Sequence, residues 1–234
     1  MRILCYVTDR RGLANGGTLP TDLFGVVARA IRAGVDWVQI REKDLPAREL
    51  LALAQSAGAE NRGFGPPEQD KSKNNMRIVS GRFGTTRASI IVNDRLDVAL
   101  AAGVAGVHLG GESLPVAAVN AAREGGILPK EFLIGASCHS LDAARAAERD
   151  GADYIFFGPV FATPSKEKSG ASQGIGKLAE VSRNLKIPVL AIGGVNEENA
   201  ADCFAAGAAG IAAIRMFQDA VDLPALVARL RNRM

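Results

Sequence analysis

One short phrase recurs four times in this chain. Ala33-Gly34-Val35-Asp36-Trp37-Val38 returns as Ala102-Gly103-Val104-Ala105-Gly106-Val107, as Asp150-Gly151-Ala152-Asp153-Tyr154-Ile155 and as Ala206-Gly207-Ala208-Ala209-Gly210-Ile211. Each copy follows an Ala/Arg-rich helical pattern and leads into a short apolar run. Glycine suits the left-handed residue that ends a helix, so each phrase reads as a helix-to-strand joint. The four glycines lie 69, 48 and 56 residues apart. A strand, a helix and their loops take about 25–30 residues, so each interval holds two such units. Ile3–Thr8, Ser89–Val92, Phe132–Ala136 and Pro188–Ile192 supply the remaining strands. Strict alternation implies parallel pairing, and eight units of this size predict an α/β fold: a (β/α)8 TIM barrel, parallel and eight-stranded.

The helical pattern places helices at Thr21–Ala33, Pro46–Ala59, Leu96–Ala102, Pro115–Glu124, Leu141–Asp150, Lys177–Leu185, Glu197–Ala206 and Leu223–Asn232. Ser140 before Leu141 and Asn196 before Glu197 read as start signals. The first interval is longer than the others, and its excess lies in 61–87. Gly63-Phe64-Gly65-Pro66-Pro67 and Lys71-Ser72-Lys73-Asn74-Asn75 there predict an exposed insertion after the second helix, without a catalytic role. Residues 1–234 are otherwise expected to form a single barrel domain. The stretch 161–175, after the sixth strand and on the opposite face, is the expected lid.

Composition narrows the partners. Hydrophobic residues make up 47% and charged residues 23%, as in an ordinary globular protein. The net charge of +3 is spread among mixed signs and aromatics are only 5%, which points away from nucleic acid and membrane surfaces. Cys5, Cys138 and Cys203 lie too far apart for a zinc motif and are odd in number for a disulfide framework. No apolar run is long enough for a leader or a membrane span, so the cytoplasm is the expected compartment. A homo-oligomer is left open.

In a barrel of this kind the chemistry sits just after each strand. Gln39, Arg41 and Lys43 alternate along Val38–Lys43, which in a strand puts them on one face. Flat bidentate donors beside a point cation suit a diphosphate; the alternative is a strand running out into a charged loop. Asn93 and Asp94 end the third strand, and Asp94 is either a metal ligand or the cap of the helix at Leu96. His108 reads as a satisfied core histidine. Ser137, Cys138 and His139 end the fifth strand, where His139 is placed for proton transfer. Thr163, Ser165 and Lys166 follow the sixth. Gly193-Gly194 suits a phosphate held by backbone amides, or a tight turn. Ile214 and Arg215 end the eighth. Gly174-Ile175-Gly176 lacks the strand and third glycine of a dinucleotide fingerprint and reads as structural. Cations, carboxylates, hydroxyls and glycines on one rim suit a phosphorylated substrate with a divalent metal.

Several of these stretches resemble thiamine phosphate synthase. They are Tyr6-Val7-Thr8-Asp9, Val38-Gln39-Ile40-Arg41-Glu42-Lys43, Val92-Asn93-Asp94-Arg95, Gly106-Val107-His108-Leu109-Gly110, Gly158-Pro159-Val160-Phe161-Ala162-Thr163 and Ala191-Ile192-Gly193-Gly194. They span nearly the whole chain outside the insertion. The resemblance implies an enzyme that joins hydroxymethylpyrimidine diphosphate to thiazole phosphate, releasing diphosphate with Mg²⁺. By the same resemblance Gln39, Arg41, Lys43 and Asn93 would hold the pyrimidine diphosphate, and Asp94 the Mg²⁺. Ser137, Thr163, Ser165 and Lys166 would complete the leaving-group contacts. Gly193, Gly194, Ile214 and Arg215 would receive the thiazole phosphate.

Two positions depart from the family pattern. Ser113 stands where a second metal-binding Asp is usual, a neutral and weaker ligand that leaves Mg²⁺ to Asp94, phosphate oxygens and Glu112. Arg215 stands where a Ser is usual. These departures leave room for a related thiazole tautomerase, a metal-free proton shift with His139 as acid/base, and for a non-catalytic phosphate-binding barrel. The row Gln39-Arg41-Lys43 with Asn93-Asp94 favours the synthase.

Overall fold

The computed structural model describes residues 2–13, 20–63, 88–162 and 172–233. Within them β1 (Ile3–Val7), β2 (Trp37–Ile40), β3 (Ser89–Asn93), β4 (Gly106–Leu109), β5 (Leu133–Cys138), β6 (Tyr154–Phe157), β7 (Val189–Ile192) and β8 (Gly210–Ala213) pair in chain order, all parallel. β8 pairs back onto β1, with Cys5 opposite Ala212, and closes the barrel. The helices between them are α1 (Pro20–Ala33), α2 (Ala47–Gly63), α3 (Leu96–Ala102), α4 (Val116–Glu124), α5 (Leu141–Arg149), α6 (Gly174–Asn184) and α7 (Ala200–Ala205). After β8 come α8 (Arg215–Gln218) and α9 (Leu223–Asn232). Among the described residues no helix is long and apolar enough to cross a membrane.

The recurring glycines do what their repetition implies. Gly34, Gly103, Gly151 and Gly207 have φ of 88°, 63°, 97° and 91°, the left-handed region that a side chain resists. The aspartates of two joints add a second device. Asp36 Oδ2 accepts the Leu4 amide at 2.7 Å and pairs with Arg231; Asp153 Oδ2 accepts the Ile134 amide at 2.8 Å and pairs with Arg123. Each carboxylate thus ties the start of one strand to the preceding strand and to a helix.

Alternation along the strands divides the core in two. One set of side chains, among them Leu4, Tyr6, Val38, Ile90, Ile134 and Phe157, packs against the helices. The other fills the barrel: Ile3, Cys5, Val7, Trp37, Ile91, Leu133, Tyr154, Phe156, Leu190 and Ala212. Strands buried on both faces read as continuous apolar runs, which is why they stand out in the sequence.

Several helix ends shift by a single residue, and four larger differences from expectation stand out. α2 runs on through Gly63, into the start of the expected insertion, whose remainder at 64–87 lies outside the described residues. α7 starts at Ala200 instead of Glu197, because the Asn196 side chain closes a turn, accepting the amides of Glu198 and Asn199 at 3.0 Å. Gly174-Ile175-Gly176 opens α6 instead of closing a loop, and 163–171 of the expected lid lies outside the described residues. The short α8 falls in a stretch with no helical period to announce it.

Candidate active site

Parallel pairing puts all eight strand ends on one rim, and the inward-facing position at the end of several strands is polar. Gln39, Asn93, His108 and Ser137 occupy that level on β2 to β5, above the apolar filling. Gln39 donates from Nε2 to Asn93 Oδ1 at 2.7 Å, and Asn93 donates from Nδ2 to Asp94 Oδ2 at 2.6 Å. Gln39 Oε1 is buried and has no partner among the described residues. An unmet acceptor there is costly unless a ligand group donates to it.

Asp94 takes up a left-handed backbone conformation. Its φ is 62°, a value no other described non-glycine residue shares. That region costs an L-residue about 1–2 kcal/mol, although Asp tolerates it better than most. The strain is fixed by backbone bonds from Asp94 N to His108 O at 2.8 Å and from Leu96 N to Asp94 O at 3.2 Å. The carboxylate does not cap α3: Arg95 occupies the cap position, with no side-chain bond. Instead Oδ1 accepts the Gly110 amide at 3.1 Å and the Ser113 hydroxyl. Lys43 Nζ stands 4.0 Å from Oδ2. The residues marked out as the metal pair, Asp94 and Ser113, are therefore in contact.

The alternation of Gln39, Arg41 and Lys43 is only partly a strand effect. β2 ends at Ile40, so the pleat positions Gln39 alone. Arg41 and Lys43 are set by the residue between them. The Arg41 amide donates to Thr8 Oγ1 at 2.9 Å, and the Thr8 hydroxyl donates to Glu42 Oε1 at 2.7 Å. Glu42 also accepts the Arg10 amide at 3.2 Å and lies 3.4 Å from the Arg10 guanidinium. Burial pushes the Glu42 carboxyl above its ordinary range, against the pull of Thr8 and Arg10. With Glu42 drawn inward, Arg41 is left half-buried and Lys43 exposed, as cations facing an anion require. The supporting roles of Glu42 and Thr8 were missed in the sequence, where Glu42 is one charge in the run Arg41-Glu42-Lys43 and nothing marks it as buried.

On the next strands His108 is fully enclosed, with Nδ1 3.2 Å from the Tyr154 hydroxyl and Nε2 2.9 Å from Ser137 Oγ. Burial pushes its pKa down to about 3, so the ring is neutral. It is the satisfied core histidine the sequence suggests, but its partner Ser137 is exposed at the mouth. His139 is exposed and gives its Nδ1 hydrogen to the Gly158 carbonyl, which leaves Nε2 unprotonated in the neutral ring.

Gly193 and Gly194 follow β7 with φ of 91° and 65°. A Cβ on Gly193 would stand 2.5 Å from Pro159 Cβ, and one on Gly194 2.6 Å from the Ala162 carbonyl, so no larger residue fits the turn. Asn199 Nδ2 holds the Gly194 carbonyl at 2.9 Å, and the Asn196 amide holds Asn199 Oδ1 at 2.9 Å. Neither glycine amide has a partner among the described residues, so both are available to an anion. Ile214 packs on the barrel filling, and Arg215, exposed, begins α8 beyond the end of β8. Thr163, Ser165 and Lys166 lie outside the described residues.

The rim thus carries a cationic edge, a strained carboxylate with a hydroxyl beside it, and a glycine turn with open amides. The chain is similar to known proteins along most of its length. The family described as thiamine monophosphate synthase matches residues 70–217. A chain of Geobacter sulfurreducens is 46% identical over 90% of this chain and 84% of its own. The thiamine-phosphate synthase of Methanoculleus marisnigri is 39% identical over 98% of this chain and 94% of its own. Among solved structures, the thiamine phosphate pyrophosphorylase of Pyrococcus furiosus superposes with a TM-score of 0.75 at 31% identity, covering 99% of this chain and 94% of that one. Similarity of this extent, over the strands that carry the rim, makes the chain a member of the thiamine monophosphate synthase family.

Proposed function

We propose that this chain is a Mg²⁺-dependent thiamine phosphate synthase that couples hydroxymethylpyrimidine diphosphate to thiazole phosphate. The observation that carries the reading is the meeting of Lys43, Asp94 and Ser113 at one point of the rim, 4.0 Å from cation to carboxylate. A Mg²⁺ ion is usually held by one or two carboxylates, with substrate phosphates and water completing the shell. Asp94 and Ser113 fit that demand. The described residues contain no cluster of three acidic, histidine or cysteine ligands, so the site depends on the diphosphate for the rest. When bound there, the ion would neutralise charge on the departing diphosphate.

The protein's own part is to hold two substrates and take up charge. Arg41 and Lys43 face the diphosphate as its bond to the pyrimidine methylene breaks, and Lys166, outside the described residues, is assigned to the same charge. Ser137 donates to the same group. Gln39 Oε1 offers an acceptor to the pyrimidine. Gly193 and Gly194 hold the thiazole phosphate by their amides, so that the thiazole nitrogen meets the methylene carbon and forms the new C–N bond. Positioning of this kind can supply a large share of a rate enhancement.

The test is direct: supply both halves with and without Mg²⁺, and separately the thiazole carboxylate tautomer. Thiamine phosphate should appear only with metal. A folded sample that makes none, or that isomerises the tautomer instead, overturns the reading. Asn199→Ala should raise the KM for thiazole phosphate about tenfold while leaving that for the diphosphate substrate unchanged, since it loosens the Gly194 peptide and the Asn196 turn beside it, on the far side of the rim from Arg41 and Lys43. Equal changes in both constants would mean that Asn199 serves the fold as a whole.

A further inference from the structure

The Tyr154 side chain is wholly buried inside the barrel, far from solvent, yet carries a hydroxyl. Its ring fills the space left by Gly135 on the neighbouring strand, where a Cβ would stand 2.1 Å from Tyr154 Cζ. Trp37 meets the ring edge-on at a centroid distance of 4.6 Å. The hydroxyl therefore has a fixed place. It meets His108 Nδ1 at 3.2 Å and has no other hydrogen-bond partner among the described residues.

A neutral imidazole has one hydrogen for two nitrogens, and a phenol has one hydrogen to place. If Tyr154 donates to Nδ1, the ring hydrogen sits on Nε2 and every buried donor is used. If Nδ1 carries the hydrogen, the Tyr154 O–H is left without an acceptor. An unmet buried donor disfavours that arrangement by a factor of about ten or more. The Nε2–H group then donates to Ser137 Oγ at 2.9 Å. Ser137 cannot give its own hydrogen to His108, so that hydrogen is directed to the barrel mouth, where the side chain is exposed.

We propose that Tyr154 is a positioning residue: it locks His108 as the Nε2–H tautomer and so makes the Ser137 hydroxyl an obligatory donor to an anionic substrate oxygen. The role in binding rests on the diphosphate reading above; the lock itself does not. A serine free to turn either way would spend part of its time presenting a lone pair to the anion, and a histidine fixed the other way would hold it there. Placing the control inside the barrel keeps it independent of solvent and of the loops around the mouth.

The experiment uses the full chain labelled with ¹⁵N-histidine, and inorganic diphosphate with Mg²⁺ as the probe. In the unmodified protein His108 should show the Nε2–H pattern; an Nδ1–H pattern overturns the lock. Tyr154→Phe keeps the ring that fills the Gly135 space and removes only the donor. Either tautomer then leaves Nδ1 unmet, so His108 should lose its Nε2–H preference and populate both forms, and diphosphate binding should weaken about twofold. In a Ser137→Ala background the same change should have no further effect. If Tyr154→Phe weakens binding equally there, the residue acts through packing and the proposal fails. An Nε2–H pattern with diphosphate binding indifferent to Ser137→Ala would leave the tautomer standing but overturn the donor's role, and with it the choice of diphosphate as its partner.

Discussion

Replacement of Asp94 by alanine is expected to lower kcat/KM by about a thousandfold or more, because one carboxylate serves two ends here. It is the carboxylate that meets Ser113, and it is the counter-charge for Lys43 at 4.0 Å. Its loss also frees the Ser113 hydroxyl, which now donates to Oδ1, and leaves the Gly110 amide only its bond to Ser113 Oγ at 2.7 Å. Alanine is a blunt probe at a φ of 62°, where it adds backbone strain. Asp94→Asn is the sharper one, since asparagine tolerates that conformation and keeps the shape while removing the charge. Both variants should fold, as judged by thermal melting, and both should lose activity. Full activity in Asp94→Asn would show that charge at this position is dispensable and would end its assignment to Mg²⁺. The companion variant is Ser113→Asp, which supplies a second carboxylate beside the first. It should lower the Mg²⁺ concentration for half-maximal rate by about tenfold, and should tighten Mn²⁺ binding measured directly by electron paramagnetic resonance. An unchanged titration would place the missing ligand elsewhere.

The barrel was legible because its joints repeat. A strand buried on both faces and a glycine that must be left-handed both leave marks in the sequence, and Gly34, Gly103, Gly151 and Gly207 carry them at every second unit. Much of the rim was legible for a similar reason: Gln39, Asn93 and Ser137 each stand at a strand end, which the fold turns into a common level. What the sequence hid is whatever depends on contacts between strands. Glu42 looks like one more surface charge in a polar run, and only the barrel brings Thr8 and Arg10 onto it. The pairing of Asp94 with Ser113 links β3 to the loop after β4, 19 positions apart in the chain. Asp94 could not be separated from a helix cap by spacing alone, since a cap and a ligand occupy the same position before a helix. The start of α7 was misplaced for a local reason. Asn196 has the side chain of a cap, but it spends that oxygen on a turn that sets Asn199 against Gly194.

Acid should destabilise this protein through His108, and the effect should be large. Burial pushes the folded value down to about 3; the nearby Asp94 charge opposes that shift and Arg41 adds to it. The folded value lies below the ordinary 6.5, so in between the unfolded chain binds a proton that the folded chain refuses. Stability from this group is complete above about pH 6.5 and falls as pH drops toward about 3, by up to about 1.4 kcal/mol per unit. Glu42 acts in the opposite sense. Its carboxyl is raised by burial, so its contribution is present at low pH and is lost as pH rises through the raised value. Asp44, Asp97 and Glu197 are pulled down by their arginine partners and lose stability in acid too, but they lie at the surface, where solvent screens them. The net slope on the acid side should therefore belong mainly to His108. His108→Gln removes the titration and keeps a side chain able to donate and accept. Denaturant midpoints measured at intervals from about pH 7 to about pH 4 should fall steeply for the unmodified protein and much less for the variant, whatever its stability at neutral pH. Parallel curves would show that His108 takes up its proton in the folded state after all.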